Sequence, residues 1–176
     1  MTRIVLIFGL ISGVISGGLM WILMSIVQLD GVNFDYAMIW GYATMIIALS
    51  LIFFGIKSYR DNNGGRITFW KGLQVGILIT LISAVCYAVS WEIYYPAYGQ
   101  EFIQKYNAYY LDKMKNEGSS DAEIEKAQVE SEQFVAIYEK FYVRFPVTIM
   151  EILPVGIIVT LISAALLRKR ELLPAT

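Results

Sequence analysis

Long uncharged stretches alternate with short charged ones along this chain. Residues 4 to 29, 36 to 56 and 72 to 91 contain no Asp, Glu, Lys or Arg, and 145 to 167 contain only Glu151. A hydrocarbon core about 30 Å thick is crossed by roughly 20 residues at about 1.5 Å rise. Each stretch supplies that length. The pattern therefore predicts an all-α, four-helix transmembrane bundle with spans at about 4–27, 36–56, 72–92 and 147–167, forming one integral membrane domain over 1–176. Ser16, Gly17 and Gly18 resemble a signal-peptide cleavage site, but the apolar run continues to Val27, beyond the roughly 7 to 15 residues of a signal-peptide core. It is read as the first span.

Between the third and fourth spans the period changes. Ile124, Ala127, Ser131, Phe134, Tyr138, Phe141 and Phe145 recur at spacings of three and four, as one helical stripe, and Ile103, Tyr106, Tyr110 and Met114 form another. Gly118 suits a left-handed cap, and Ser120 with Glu123 forms a capping box. The segment at about 97–144 is thus predicted to be an extracytoplasmic helical hairpin, with Pro96 and Pro146 breaking or bending its junctions with the membrane helices. Asn62-Asn63-Gly64-Gly65 reads as an exposed turn between the second and third spans.

Charge sets the expected orientation. Outside the long loop the basic residues are Arg3, Lys57, Arg60, Arg66, Lys71, Arg168, Lys169 and Arg170, all on one side if the spans alternate, whereas the connection from Gln28 to Asp35 holds Asp30 and Asp35 and no base. The positive-inside rule then makes both termini and the 57–71 loop cytoplasmic. Glu92 to Arg144, with ten acids and six bases, falls outside. Tyr59, Phe69 and Trp70 mark the inner interface, and Trp91, Tyr94, Tyr95, Tyr142 and Phe145 the outer one. Composition agrees: 57% of residues are hydrophobic and only 16% charged, against about a quarter in soluble domains.

Within the membrane, residues 73 to 84 recur at 153 to 164, with nine of twelve positions identical. Consecutive spans run in opposite directions, so the copies form a local inverted pair. Gly76, Thr80 and Ser83, like Gly156, Thr160 and Ser163, share one small, weakly polar face, and these faces are expected to meet near the midplane. Gly9, Gly13 and Gly17 make a similar surface on the first span, suited either to a helix of the bundle or to a second copy of the chain.

Two carboxylates stand apart. Glu151 lies six residues inside the fourth apolar run and Glu92 closes the third, so antiparallel packing brings both toward the outer end, with Arg144 as a salt-bridge partner for Glu151. Pro154 frees a carbonyl one turn from Glu151. Glu151, Glu92, Pro154, Thr80 and Thr160 make up the candidate transport or polar site. Enzymatic chemistry has little to work with: the chain has no His, which removes the commonest general base and the usual zinc ligands, and Cys86 is its single cysteine. No cofactor or metal is expected.

Gly55-Ile56-Lys57-Ser58-Tyr59-Arg60-Asp61, Trp91-Glu92-Ile93-Tyr94-Tyr95, and Glu151-Ile152-Leu153-Pro154-Val155-Gly156 running to Arg168-Lys169-Arg170 resemble the family named domain of unknown function 4199. The resemblance implies a multi-pass inner-membrane protein of Gram-negative bacteria, for which outside means periplasm, and it carries over no catalytic or binding residue. The leading expectation is a non-enzymatic accessory or scaffold subunit. The alternative is a small transporter or ion-coupled carrier using the intramembrane glutamate, and a membrane enzyme, the third reading, needs Glu92 and Glu151 to converge on a closed pocket. Expected partners are membrane lipid, a protein docked on the periplasmic hairpin, or a second copy in a homo-oligomer, and no nucleic acid.

Overall fold

The computed structural model describes residues 1–27 and 33–168, so the expectations for Gln28, Asp30, Lys169 and Arg170 lie outside the described residues. All regular elements among the described residues are helical: α1 (Thr2–Val27), α2 (Phe34–Leu49), α3 (Leu51–Asp61), α4 (Phe69–Tyr94), α5 (Gln100–Asn116), α6 (Asp121–Tyr138) and α7 (Phe141–Leu167), with a π-helical turn over Tyr95–Gly99 joining α4 to α5. Four stretches are long and apolar enough to cross a bilayer: Thr2–Val27, Phe34–Asp61, Phe69–Asn116 and Phe141–Leu167. These correspond to the four expected spans, each starting slightly earlier.

The distribution of side chains is that of a multi-pass membrane protein. Val14, Ile22, Ile39, Ile47, Met150 and Ile158 point outward, whereas Ser12, Ser16, Thr80, Ser83, Thr148, Thr160 and Ser163 are buried. In water such an arrangement would be costly; in lipid the tails solvate the apolar surface, and helices associate through close packing and hydrogen bonds instead. Buried hydroxyls join the helices: Ser12 Oγ donates to the Ala48 carbonyl at 2.8 Å and Ser83 Oγ to the Gly9 carbonyl at 3.1 Å, tying α1 to α2 and α4.

Two glycine-lined seams hold the bundle together. Along α1, a methyl group on Gly9 would stand 2.8 Å from Ile82 Cβ, one on Gly13 would collide with Cys86, and one on Gly17 with Ser90. Both helices advance by the same four-residue steps, so α1 and α4 run parallel. The structure therefore assigns the Gly9, Gly13 and Gly17 surface to packing within the bundle. In the second seam, Gly76 faces Thr160, Gly156 faces Thr80, and Gly72 faces Ala164. One series ascends while the other descends, as antiparallel helices require. The recurring sequence thus forms a reciprocal contact with local two-fold symmetry, centred on a 3.3 Å hydroxyl–hydroxyl bond between Thr80 and Thr160. Ser83 departs from the expected face, since its hydroxyl turns to Gly9 of α1.

Three local expectations are corrected. The second span is interrupted at Ser50, whose hydroxyl donates to the Ile47 carbonyl at 2.6 Å and so competes with the helix ladder at the α2–α3 junction. The stripe from Ile124 to Phe145 is not one helix, because α6 ends at Tyr138 and α7 begins at Phe141. Pro96 does sit at a break, in the π-helical turn that follows the end of α4 at Tyr94, but Pro146 lies inside α7, which begins at Phe141. The turn chemistry holds, with Gly64, Gly65 and Gly118 at φ of 71°, 72° and 85°. The capping box is formed in both directions, with Ser120 and Glu123 each serving the other's backbone N–H.

Candidate functional site

At the end of the bundle where α4 leaves for α5, an ion pair organises three helices. Arg144 of α7 is 7% exposed, yet its guanidinium is fully engaged. Nε donates to Glu92 Oε1 at 2.9 Å and Nη2 to Glu92 Oε2 at 2.5 Å, a two-point contact of the kind that a planar guanidinium favours. Nη1 donates to the carbonyl of Glu139 at 2.9 Å, where α6 has just ended and its last carbonyls lack helical partners. The Cζ atom stands 3.8 Å from the centre of the Tyr95 ring, a cation–π contact on the π-helical turn. A single arginine therefore joins the end of α4, the end of α6 and the start of α7. This overturns the expected pairing of Arg144 with Glu151: Arg144 sits about 10 Å nearer the helix end than Glu151, seven residues at about 1.5 Å each, and Glu92 lies beside it.

Beside the clamp, Trp91 Nε1 donates to the Tyr138 hydroxyl at 3.0 Å. Burial holds the Tyr138 phenol above its ordinary range, so it stays neutral and available for hydrogen bonding. A second polar contact fastens α5 over the start of α2. Lys113 Nζ bonds both Asp35 carboxylate oxygens at 2.9 and 3.0 Å, and the Tyr109 hydroxyl donates to Asn33 Oδ1 at 3.2 Å. The ring of Phe34 lies 5.2 Å from Tyr109, 5.9 Å from Tyr106 and 6.1 Å from Phe102. Phe102, Tyr106 and Tyr109 of α5 thus meet Phe34 of α2.

Below these contacts lies a cavity of about 280 Å³ between α1, α2, α4, α5 and α7. Met20 and Met24 of α1, Met38 and Met45 of α2, and the rings of Phe34, Tyr42, Tyr87, Phe102 and Tyr106 supply most of its wall. Among the described residues, the only charged one in that wall is Glu151. Glu151 is exposed, so this part of the wall lies where the cavity meets the surface of the bundle. Among the described residues Glu151 has no hydrogen bond and no ion pair, while Tyr87 and Tyr138 are near enough to feel its charge.

The five residues of the sequence-derived site therefore occupy four places. Thr80 and Thr160 are bonded to one another in the α4–α7 seam. Glu92 belongs to the arginine clamp, Pro154 is exposed on the outer surface of α7, and Glu151 alone lines the cavity. Sequence reasoning passed over the methionines, although four of the chain's seven line this space. Their spacing held a signal: Met20 and Met24 are one turn apart, and Met38 and Met45 two turns apart, so each pair shares a helix face. Among the described residues there is no cluster of His, Cys, Asp or Glu able to hold a metal ion.

A family model described as "Protein of unknown function (DUF4199)" matches residues 7–169. No curated protein and no solved structure matches the chain.

Proposed function

Because the chain belongs to the DUF4199 family of proteins of unknown function, we propose its role from its own geometry: it is a non-enzymatic accessory subunit that holds a helical arm, α5 and α6, outside the membrane for another protein to grasp. The observation that carries this reading is that no residue of α5 or α6 is buried, while Tyr110, Val129, Phe134 and Ile137 are each close to half exposed. A helix pair that shows its apolar residues on the surface has not completed its own packing, and such surfaces mark protein or membrane contacts. The arm is nevertheless firmly based. The Glu92–Arg144 clamp fixes where it leaves the bundle, and the Lys113–Asp35 pair ties the far part of α5 to the start of α2.

In this reading the protein resides in the bacterial inner membrane with both termini in the cytoplasm. Arg3, Lys71 and Arg168 stand at one end of the bundle, because α1 and α4 are parallel and α7 antiparallel to them, whereas Asp35 and the arm stand at the other. The positive-inside rule makes the first end cytoplasmic.

The test is site-specific photocrosslinking from Phe134 and Ile137 in native membranes, beside a control position at the exposed Lys126. A discrete adduct from the two apolar positions, lost in the Val129→Ser variant and absent from Lys126, supports the reading. Equal, diffuse labelling from all three positions counts against it.

A further inference from the structure

We propose that the cavity around Glu151 is a binding site for a small amphiphilic cation, an apolar body bearing one protonated amine, a ligand separate from any partner of the arm. Three observations converge on that chemistry. The first is the wall. Methionines are unbranched and polarisable and adapt to apolar ligands of varied shape, and Met20 and Met24 of α1 and Met38 and Met45 of α2 all line the space. A cavity of about 280 Å³ falls just below the roughly 300–1,000 Å³ of drug-sized sites, which favours a small ligand.

The second is the charge. Among the described residues Glu151 is the only carboxylate in the wall, and none of them bonds to it. The arginine that the sequence places nearest is held by Glu92 instead. An acid within a spanning helix faces protein or an aqueous cavity and marks a pathway or a site. Here it supplies a single anionic anchor in apolar surroundings, where an ammonium group satisfies it by a charge-assisted hydrogen bond.

The third is the aromatic surround. Tyr87 lines the same cavity as Glu151, with the rings of Phe34, Tyr42, Phe102 and Tyr106, and aromatic rings attract cations as a carboxylate does. The opening of the cavity fits a ligand that partitions into the bilayer and enters with its amine leading. A bare sodium ion lacks the apolar body that most of this wall is built to contact, and it prefers six or so oxygen donors where the wall offers few.

The experiment uses the full chain in lipid nanodiscs with radiolabelled decylamine as probe and decanol, the neutral analogue of the same chain length, as comparison. Empty nanodiscs give the background. We expect saturable decylamine binding at neutral pH, about tenfold tighter than decanol, since one charge-assisted contact is worth roughly that factor. Glu151→Gln should abolish the preference and bring decylamine down to the decanol level, whereas Glu151→Asp should keep part of it. Met38→Trp, at an exposed position of the wall, should weaken both probes, and it keeps the proposal testable if Glu151→Gln fails to fold. Equal affinity of the wild type for amine and alcohol overturns the proposal. So does a Glu151→Gln variant with undiminished preference, and so does an absence of decylamine binding accompanied by saturable sodium binding.

Discussion

Arg144 and Glu92, fifty-two positions apart in the chain, form a two-point ion pair whose side chains are 8% and 15% exposed. Pairs of this kind are costly to break because the surviving charge remains desolvated, typically by about 3–5 kcal/mol. Arg144→Met alone should therefore lower stability by about that amount, read as a fall in the midpoint of detergent-resisted thermal unfolding. The double variant Arg144→Met, Glu92→Leu should recover much of the loss, since replacing both partners by apolar groups leaves no orphaned charge. If the double variant is as unstable as the sum of the singles, the pair does not act as a unit.

The α4–α7 seam makes a symmetric forecast. Gly76 faces Thr160 as Gly156 faces Thr80, so Gly76→Leu and Gly156→Leu should damage the bundle by similar amounts, about 1–3 kcal/mol or more, by prising the helices apart. Removing the hydroxyl bond with Thr80→Val should cost less, about 0.6 kcal/mol, the average for such bonds within membranes. Steric trapping or denaturant titration in mixed micelles separates these magnitudes. A Thr80→Val penalty equal to that of Gly156→Leu would mean that hydrogen bonding, and not close approach, holds the seam.

On α1, Gly13 has no room for a methyl group, which would collide with Cys86 and stand 3.2 Å from the Ser83 Cα. Gly13→Leu should consequently lower stability by several kcal/mol, the overpacking term joined by loss of the adjacent Ser83–Gly9 bond. Sedimentation in detergent should show no separate, well-folded population of reduced oligomeric state. A stable, folded variant whose only change is in association would instead assign the glycine face to an interface between copies.

The membrane architecture was legible because lipid imposes strong rules: a span must be about 20 residues long and nearly free of charge, and close helix approach needs small side chains. The same rules exposed the meeting of Gly76, Thr80, Gly156 and Thr160. What stayed hidden depended on which of several available partners a long side chain reaches. In the sequence either Glu92 or Glu151 could be paired with Arg144, and the choice of Glu92 follows from the depth at which α4 and α7 cross, which no spacing encodes. The break at Glu139 and Lys140 was hidden for a related reason, since the apolar stripe passes through it unaltered. The cavity likewise arises from how five helices leave space, although the paired methionines hinted at it.

Acid should loosen the tip of the arm before the bundle. Hydrogen bonds from Ser120, by its hydroxyl and its backbone N–H, hold the Glu123 carboxyl below its ordinary pKa. A group whose folded pKa is depressed stabilises the fold above its unfolded pKa and loses that contribution as pH falls through the folded value. Amide exchange at the first turn of α6 should therefore accelerate beyond its intrinsic pH trend as the pH drops below the usual glutamate range. Glu123→Gln, which removes the titrating group but keeps a hydrogen-bonding side chain, should flatten that dependence. Persistence of the effect in the variant would place its origin elsewhere.

Orientation is tested by a cysteine placed at Ser119 in a Cys86→Ala background, since Ser119 follows Gly118 in the turn between α5 and α6. The turn lies at the same end of the bundle as Asp35, because Lys113, one turn earlier on α5, is bonded to that residue. An impermeant maleimide added to intact spheroplasts should label Ser119→Cys and should leave Asn63→Cys, in the turn after α3, untouched until the membrane is opened. The two positions must behave oppositely, because α3 and α4 meet at the end where Lys57 and Arg60 converge on Asp61. Labelling of Asn63→Cys alone in intact spheroplasts would invert the protein in the membrane and move the arm to the cytoplasm. The internal geometry of clamp, seams and cavity would be unaffected, but the partner proposed for the arm would then have to be sought on the other side.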